Sequence, residues 1–162
     1  MRDTETIKMA LTAAETGHLV FGTLHTNDTC STINRIVDVF PPHQQSQIRT
    51  QLGTSLSAVV SQQLVPSESK GRVLATEVLV PNIAIKAMIT EGKVNQIYSS
   101  MQTGQDSTGM QTLNQCLLKL VKKRFVTKEM ALLKSTDAEE LRSMFEEAGM
   151  MRKASSGLKR SS

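Results

Sequence analysis

The stretch that bears most directly on the fold is TGHLVFGTLHTND, residues Thr16–Asp28. Within it an apolar run, Leu19–Gly22, lies between two histidines, His18 and His25, which are seven positions apart. A short continuous apolar run of this kind is typical of a strand buried in a parallel sheet. Because a strand rises about 3.3 Å per residue, the two histidines would lie roughly 23 Å apart, too far to share a metal ion or a catalytic proton.

The polar residues that follow the apolar run predict where a ligand would bind. In open α/β sheets, ligands bind outside the carboxyl ends of the strands. The functional edge therefore carries His25 and three polar neighbours, Thr23, Thr26 and Asn27, while His18 lies at the far edge. An imidazole at such an edge can donate a hydrogen bond to a phosphate oxygen. The alternatives are that His25 caps the following turn and that His18 marks a helix-to-strand corner or a subunit contact.

Helices are predicted on both sides of this stretch. Asp3 or Thr4 can cap a helix that ends at Glu15, and Gly17 follows it at a position typical of a helix end. After a new cap at 26–29, the pattern predicts a helix through residues 33–37, a helix from His43 to about Ser61 and a hairpin over 62–80. Further along, it predicts one or two helices over 82–101, interrupted near Gly92, and a loop over 103–109. A helix over 110–123 and two helices capped by Thr127 and Asp137 follow.

The composition narrows the class of protein. The chain has 162 residues, only 3% aromatic residues and no Trp, so its core consists of aliphatic residues and Met, which favours helices packed on a small sheet. The net charge of +4 is partly due to basic residues in the tail, and no aromatic platform for bases is present, so nucleic acid is not predicted as a partner.

The cysteines and the apolar runs indicate the compartment. Cys30 and Cys116 are far apart in sequence and outside any CxxC motif, so two free thiols are expected. No apolar run approaches the roughly 20 residues of a membrane span, and no signal peptide is recognisable at the amino terminus. A cytosolic protein is predicted.

Four segments carry a resemblance to a known family. MRDTETIKMALTAAETGHLVFGTLHTND (1–28) closely resembles the segment that follows the Walker B strand in secretion-type ATPases. Three later segments resemble the PilT-like branch, which retracts type IV pili in twitching motility: INRIVDVFPP (33–42), AIKAMITEGKVNQIYSSMQTG (84–104) and GMQTLNQCLLKLV (109–121). The resemblance extends from Met1 to about Lys134.

This resemblance implies an α/β fold, the C-terminal half of a RecA-like P-loop ATPase core with few strands plus a hairpin, followed by a C-terminal helical bundle. The implied organisation is a partial ATPase core over 1–80, a helical region over 81–151 and a disordered basic tail over 152–162. The family implies a homo-hexamer that binds ATP and Mg²⁺ between subunits, hydrolyses ATP to extract pilin, and contacts a pilus platform protein of the inner membrane. The implied location is the cytoplasmic side of the inner-membrane base of the pilus machine, with no membrane span and no nucleic acid.

The resemblance also implies roles for particular residues. TGHLVFGTLH matches the family's His box, which makes His25 a nucleotide-site residue and His18 a residue of subunit contact or coupling. Arg2 and Asp3 close the Walker B motif, and Arg2 would orient neighbouring acidic groups. No residue is assigned as a metal ligand.

A second motif, AIKAMITE, aligns with the segment that family members need for retraction. The matching residues are Ala84, Ile85, Lys86, Ile89 and Glu91. Lys86 stands where an arginine is usual, which keeps the charge but loses the planar fork of a guanidinium. The alternative is an ordinary amphipathic helix.

The phosphate-binding motif of the family is not found in the sequence. A P-loop requires Gly-x-x-x-x-Gly-Lys-Ser/Thr, and the one near match, Gly104–Gly109, is followed by Met110. In the family, the catalytic glutamate immediately precedes the position of Met1. ATP hydrolysis is therefore expected of the intact enzyme and not of this chain alone. Three alternatives remain: a pilus-assembly or type II secretion ATPase fragment, a non-catalytic module that joins rings of full-length subunits, and a DNA-binding domain suggested only by the pI.

Overall fold

The computed structural model describes residues 3–103 and 109–151. In these residues the elements are, in chain order, α1 (Thr4–Glu15), α2 (Thr29–Asp38), α3 (Pro42–Ser55), β1 (Val59–Pro66), β2 (Arg72–Leu79), α4 (Ile83–Thr90), a 3₁₀ turn (Val94–Gln96), α5 (Ile97–Thr103), α6 (Leu113–Lys122), α7 (Lys128–Lys134) and α8 (Ala138–Glu147). The predicted order of helices and hairpin is confirmed.

Side-chain caps explain where most of these helices begin. The Asp3 carboxylate accepts from the Thr6 amide, and Thr127 and Asp137 cap α7 and α8 in the same way, as predicted. Thr112 forms a capping box with Gln115 at the start of α6. Gly17 ends α1 with a φ of +90°, a conformation that glycine adopts without a steric cost.

The described sheet is a two-stranded antiparallel hairpin. Its register runs from Val59 opposite Leu79 to Pro66 opposite Arg72. Side chains alternate between an outer face and an inner face, and Ala75, Glu77 and Leu79 of β2 are buried on the inner face. The hairpin therefore presents a carboxylate to the interior of the protein.

Two apolar clusters form the core. The first packs α1–α5 around residues such as Ile7, Ile33 and Ile89. The second packs α6–α8 against the hairpin around Val65, Leu117, Leu141 and Phe145. Because the two hairpin strands contribute to both clusters, the hairpin joins them. The domain boundary after residue 80 stays a prediction; helices α4 and α5 pack on the first cluster.

The predicted buried strand between the histidines is wrong. Residues 18–26 have no regular secondary structure; they belong to no strand and pair with no strand in the described parts of the chain. Leu19 is 80% exposed and Phe21 is 89% exposed. Without a paired neighbour, the side chains of Leu19, Val20 and Phe21 face solvent, whereas Leu24 is buried in the first apolar cluster.

Two helix boundaries also differ from the predictions. Helix α3 ends at Ser55 rather than near Ser61, because residues 59–61 pair in β1. Helix α6 begins at Leu113 rather than Met110, because Gln111 exchanges backbone hydrogen bonds with Val78 of β2. Pairing with distant residues decides both ends.

Three expectations concern residues outside the described ranges. Arg2, most of the loop over 103–109 and the tail over 152–162 are among them. Cys30 and Cys116 are both free thiols, as expected. In residues 3–103 and 109–151, no helix has the length and apolar character needed to cross a membrane.

Candidate functional site

The irregular segment after α1, residues 18–26, lines an open groove. Its volume is about 910 Å³. The groove is lined by residues 17–27, by the inner face of α1, and by residues 55–62 at the end of α3 and the start of β1. Both histidines of the segment, His18 and His25, lie on this lining. The structure therefore brings the segment and the first strand of the hairpin to the lining of one groove.

The turn at His25 combines an unusual backbone conformation with several hydrogen bonds. His25 has a φ of +55°, in the left-handed region that few residues other than glycine adopt, and its side chain is exposed. After it the Thr26 and Thr32 hydroxyls lie 2.5 Å apart, and the Asp28 carboxylate caps α2 by accepting from the Ser31 amide at 2.6 Å. This hydrogen-bonded frame fixes the backbone that presents the imidazole.

A buried carboxylate, that of Glu77, forms hydrogen bonds to the helix start that follows this turn. Glu77 is only 2% exposed, and its Oε1 accepts from both the amide and the hydroxyl of Thr29, at 2.8 and 2.7 Å. Its Oε2 accepts from the Leu113 amide at 3.3 Å. Thr29 and Leu113 are the first residues of α2 and α6, so one carboxylate lies at the positive ends of two helix dipoles. Glu77 thereby links the His25 turn to the C-terminal helices.

His18 lies where α1 ends. Its amide donates to the Ala13 carbonyl at 3.0 Å, and its Nδ1 is 3.1 Å from the Thr16 hydroxyl. The same hydroxyl is 2.9 Å from the Ala13 carbonyl oxygen, so Thr16 lies between the imidazole and the last turn of α1. His18 thus lies at the end of a helix, but the segment beyond it is not a strand, so the helix-to-strand corner is not formed in the described chain.

The groove lining is poor in charge. In the described part of the chain, the lining contains no lysine, arginine, aspartate or glutamate, and the two histidines are its ionisable side chains. No group of three or more potential metal ligands occurs among the described residues. The groove can contribute an imidazole, hydroxyls and apolar surface to a ligand, but a triphosphate would need cations from elsewhere.

The residues of the AIKAMITE motif divide among several environments on and beside α4. Ile85 and Ile89 are buried in the first apolar cluster. Lys86 donates from Nζ to the Thr54 carbonyl at 3.4 Å, and Glu91 pairs with Lys93 at 2.7 Å. Ala84 is exposed. None of these described residues lines the groove.

Helix α3 connects the motif to the groove. A Cβ added at Gly53 would lie 2.5 Å from the Thr90 hydroxyl oxygen and 2.9 Å from the Lys86 carbonyl oxygen, so a side chain at that position would push α3 and α4 apart. Two residues later, Ser55 lines the groove. The contact of Lys86 with the last turn of α3 places a positive charge at the negative end of that helix.

Comparison with known proteins identifies the family. A model of the family described as type II/IV secretion system protein matches residues 1–159. This chain belongs to that family. The resemblance read from the four segments is thus confirmed.

Relatives of this secretion-family chain include pilus ATPases. It is 53% identical over 131 residues to the type IV pilus retraction ATPase PilT of Pseudomonas aeruginosa, covering 81% of this chain and 38% of PilT. It is 49% identical over 142 residues to a twitching motility protein of Neisseria gonorrhoeae, covering 87% of this chain and 38% of the relative. The chain thus spans about two fifths of the length of these relatives.

Solved structures of two ATPases share the fold. A crystal structure of the pilus retraction motor PilT with bound ADP superposes with a TM-score of 0.80 at 52% identity, over 89% of this chain and 40% of the other. The ATPase DotB of Legionella pneumophila superposes with a TM-score of 0.70 at 27% identity, over 82% and 36%. The α/β class with a small hairpin followed by helices is therefore that of PilT and DotB.

Sequence reasoning missed two carboxylates that join distant elements, the buried one of Glu77 and the partly buried one of Glu140. Glu77 could have been found, because it occupies an inward position in the period-2 alternation of β2. Glu140 accepts from the Tyr98 hydroxyl at 2.6 Å and from the Asn114 side-chain amide at 2.5 Å. This second group joins α5, α6 and α8, and no local pattern indicates it.

Proposed function

We propose that this chain acts as the C-terminal part of a ring-forming ATPase that retracts type IV pili and powers twitching motility. The observation that carries the proposal is the His25 turn, where a left-handed backbone, a capped helix and a buried carboxylate fix an exposed imidazole at the groove. Such rigid presentation suits a group that contacts a ligand.

The extent of similarity favours retraction over assembly and secretion. The retraction ATPase and the twitching motility protein match 81% and 87% of this chain. The assembly ATPase PilB and the type II secretion protein HxcR of Pseudomonas aeruginosa match 40% and 24%. The proposal of a retraction ATPase therefore rests on similarity along most of the chain.

The proposed ligand is ATP with Mg²⁺, bound between subunits of a homo-hexamer. His25 would donate a hydrogen bond to a phosphate oxygen, with Thr26 and Asn27 beside it in the groove. The charge-poor lining supports a shared site, because the phosphates and the metal ion would need charged groups beyond this groove. His18, at the end of α1, would contact a neighbouring subunit or couple the groove to it, and Arg2 would orient acidic groups.

The proposed location and partners follow from the same similarity to retraction ATPases. A retraction motor acts on the cytoplasmic side of the inner membrane, at the base of the pilus, against a platform protein. The AIKAMITE helix, α4, would transmit the change at the nucleotide through α3, because α3 touches both the motif and the groove.

A chimera tests the proposal. This chain replaces the aligned segment of Pseudomonas aeruginosa PilT, with which it is 53% identical. We expect the chimera to hydrolyse ATP, and His25→Ala in it to lower kcat by roughly 10²-fold, as is typical for loss of a positioned proton donor. His43→Ala, which removes another exposed histidine, is the matched control and should change kcat little. Unchanged turnover in the His25 variant would remove His25 from the mechanism.

The chain alone provides a second test. Titration calorimetry with Mg²⁺-ATP should detect no binding tighter than about millimolar, since the groove lacks cations. Micromolar binding or steady hydrolysis by the purified chain would contradict the shared-site proposal.

A non-catalytic role is the second candidate, and the exposed apolar segment favours it. Leu19 and Phe21 project from residues 18–26 into solvent, where another protein could cover them. In this role the chain would join rings of full-length subunits. Size-exclusion chromatography of the chain mixed with PilT should then show a mixed species at micromolar concentration, and separate elution would exclude this role.

A further inference from the structure

Two turns that are distant in sequence meet at one corner of the protein. The hairpin turn between β1 and β2 meets the turn after α6, where the Glu68 amide donates to the Phe125 carbonyl at 3.0 Å. Beneath them Val65, Val121 and Val126 are buried in the second apolar cluster. The two turns are thus held on one packed base.

Positively charged side chains are concentrated at this corner. We call it the basic corner, and it comprises Lys70, Arg72, Lys122, Lys123, Arg124 and Phe125, all of which are exposed. The one carboxylate in the same two turns is that of Glu68. The five cations against one carboxylate leave a net charge of +4, as large as that of the whole chain. Among the described residues, the ion pairs found lie elsewhere, at Lys93–Glu91 and Arg142–Glu139.

The backbone is strained at two of these cations. Lys70 has a φ of +104° and Arg124 a φ of +59°, both in the region that favours glycine. Arg124 follows the C-terminus of α6, a place where helices commonly carry glycine. Within the described ranges, the third non-glycine residue with a positive φ is His25 of the candidate site. A side chain kept at a strained position points to a use for that side chain.

We propose that the basic corner docks on the surface of a bilayer rich in anionic phospholipids. Clustered lysines and arginines are attracted to anionic headgroups, and an apolar ring among them can enter the interface. Phe125 supplies that ring, since it is 46% exposed and directly follows three of the cations in sequence. The corner is formed by two projecting turns with a single aromatic residue, whereas single-stranded nucleic acid needs a groove and several stacking rings. The inference does not depend on the proposed function.

Vesicle sedimentation tests the charge. The full chain is mixed with vesicles of equal parts phosphatidylglycerol and phosphatidylcholine, and with vesicles of phosphatidylcholine alone. We expect binding to the anionic vesicles only, weakening as salt is raised. Lys122→Gln/Lys123→Gln should weaken it about 25-fold, at roughly fivefold per cation. Lys153→Gln/Lys159→Gln, which removes two lysines from the basic tail, is the matched control and should weaken binding less.

Several outcomes would overturn the proposal. Equal binding to neutral vesicles would show that headgroup charge is not recognised, and an equal loss in the tail variant would show that the corner is not the site. Duplex DNA that binds with the same dependence on Lys122 and Lys123, while the vesicles do not, would assign the corner to nucleic acid instead.

A strain-relieving variant separates binding from folding. In Lys70→Gly/Arg124→Gly both positive-φ positions become glycine, so we expect Tm to rise by about 2–4 °C per substitution. The affinity for anionic vesicles should nevertheless fall by about 25-fold, because two cations are lost. A higher Tm with unchanged vesicle affinity would overturn the docking role, and a lower Tm would overturn the argument from strain.

Discussion

Replacing Glu77 with glutamine or alanine tests whether one buried carboxylate holds the His25 turn and α6 together. Oε1 accepts from the amide and hydroxyl of Thr29, and Oε2 accepts from the Leu113 amide. Glutamine keeps one acceptor oxygen and turns an NH₂ group toward a donor. It therefore loses a hydrogen bond to a charged group, worth about 1.5–3 kcal/mol.

Alanine should cost more than glutamine. It leaves two buried amides without their acceptor, at about 1–3 kcal/mol each, and removes the packed side chain as well. We expect a loss of about 2 kcal/mol for Glu77→Gln and about 4 kcal/mol for Glu77→Ala, a large part of the 5–15 kcal/mol typical of a folded domain.

Urea denaturation measures this prediction, and amide hydrogen exchange localises it. For an m-value of about 2 kcal/mol/M, the glutamine variant should unfold at a midpoint about 1 M lower. The amides of Thr29 and Leu113 should exchange faster in that variant, since both donate to the carboxylate. Glu147→Gln, at an exposed site, is the control and should stay within about 0.5 kcal/mol of the parent. A Glu77→Gln midpoint equal to the control would refute the reasoning.

Two further predictions concern α3 and a cysteine. Gly53→Ala should destabilise the fold by about 1–3 kcal/mol in urea titration, because its Cβ would meet the Thr90 hydroxyl and the Lys86 carbonyl, and an unchanged midpoint would contradict the close approach of α3 and α4. Burial raises the pKa of the Cys30 thiol from an ordinary 9.0 to about 11, and nearby carboxylates make a smaller contribution to the same rise. The unfolded thiol ionises first as pH rises, so Tm should fall between about pH 9 and 11, and less steeply in Cys30→Ala; parallel curves for the two proteins would exclude this contribution.

Local chemistry in the sequence determined most helix starts and the hairpin. Asp3, Thr127 and Asp137 are capping residues whose side chains accept from amides three positions ahead, so their effect needs no distant partner. The four segments that resemble the family were likewise sufficient to predict the family that the comparison identified.

The tertiary structure decided what depends on distant partners. The apolar run between the histidines favours a strand, yet a strand forms only where another backbone pairs with it, and in the described chain none does. Pairing of Ser61 with Glu77 shortened α3, and the same pairing turned Glu77 inward to meet two helix starts. The basic corner likewise needs the contact between Glu68 and Phe125, because charges 50 residues apart in sequence combine only when the fold brings their turns together.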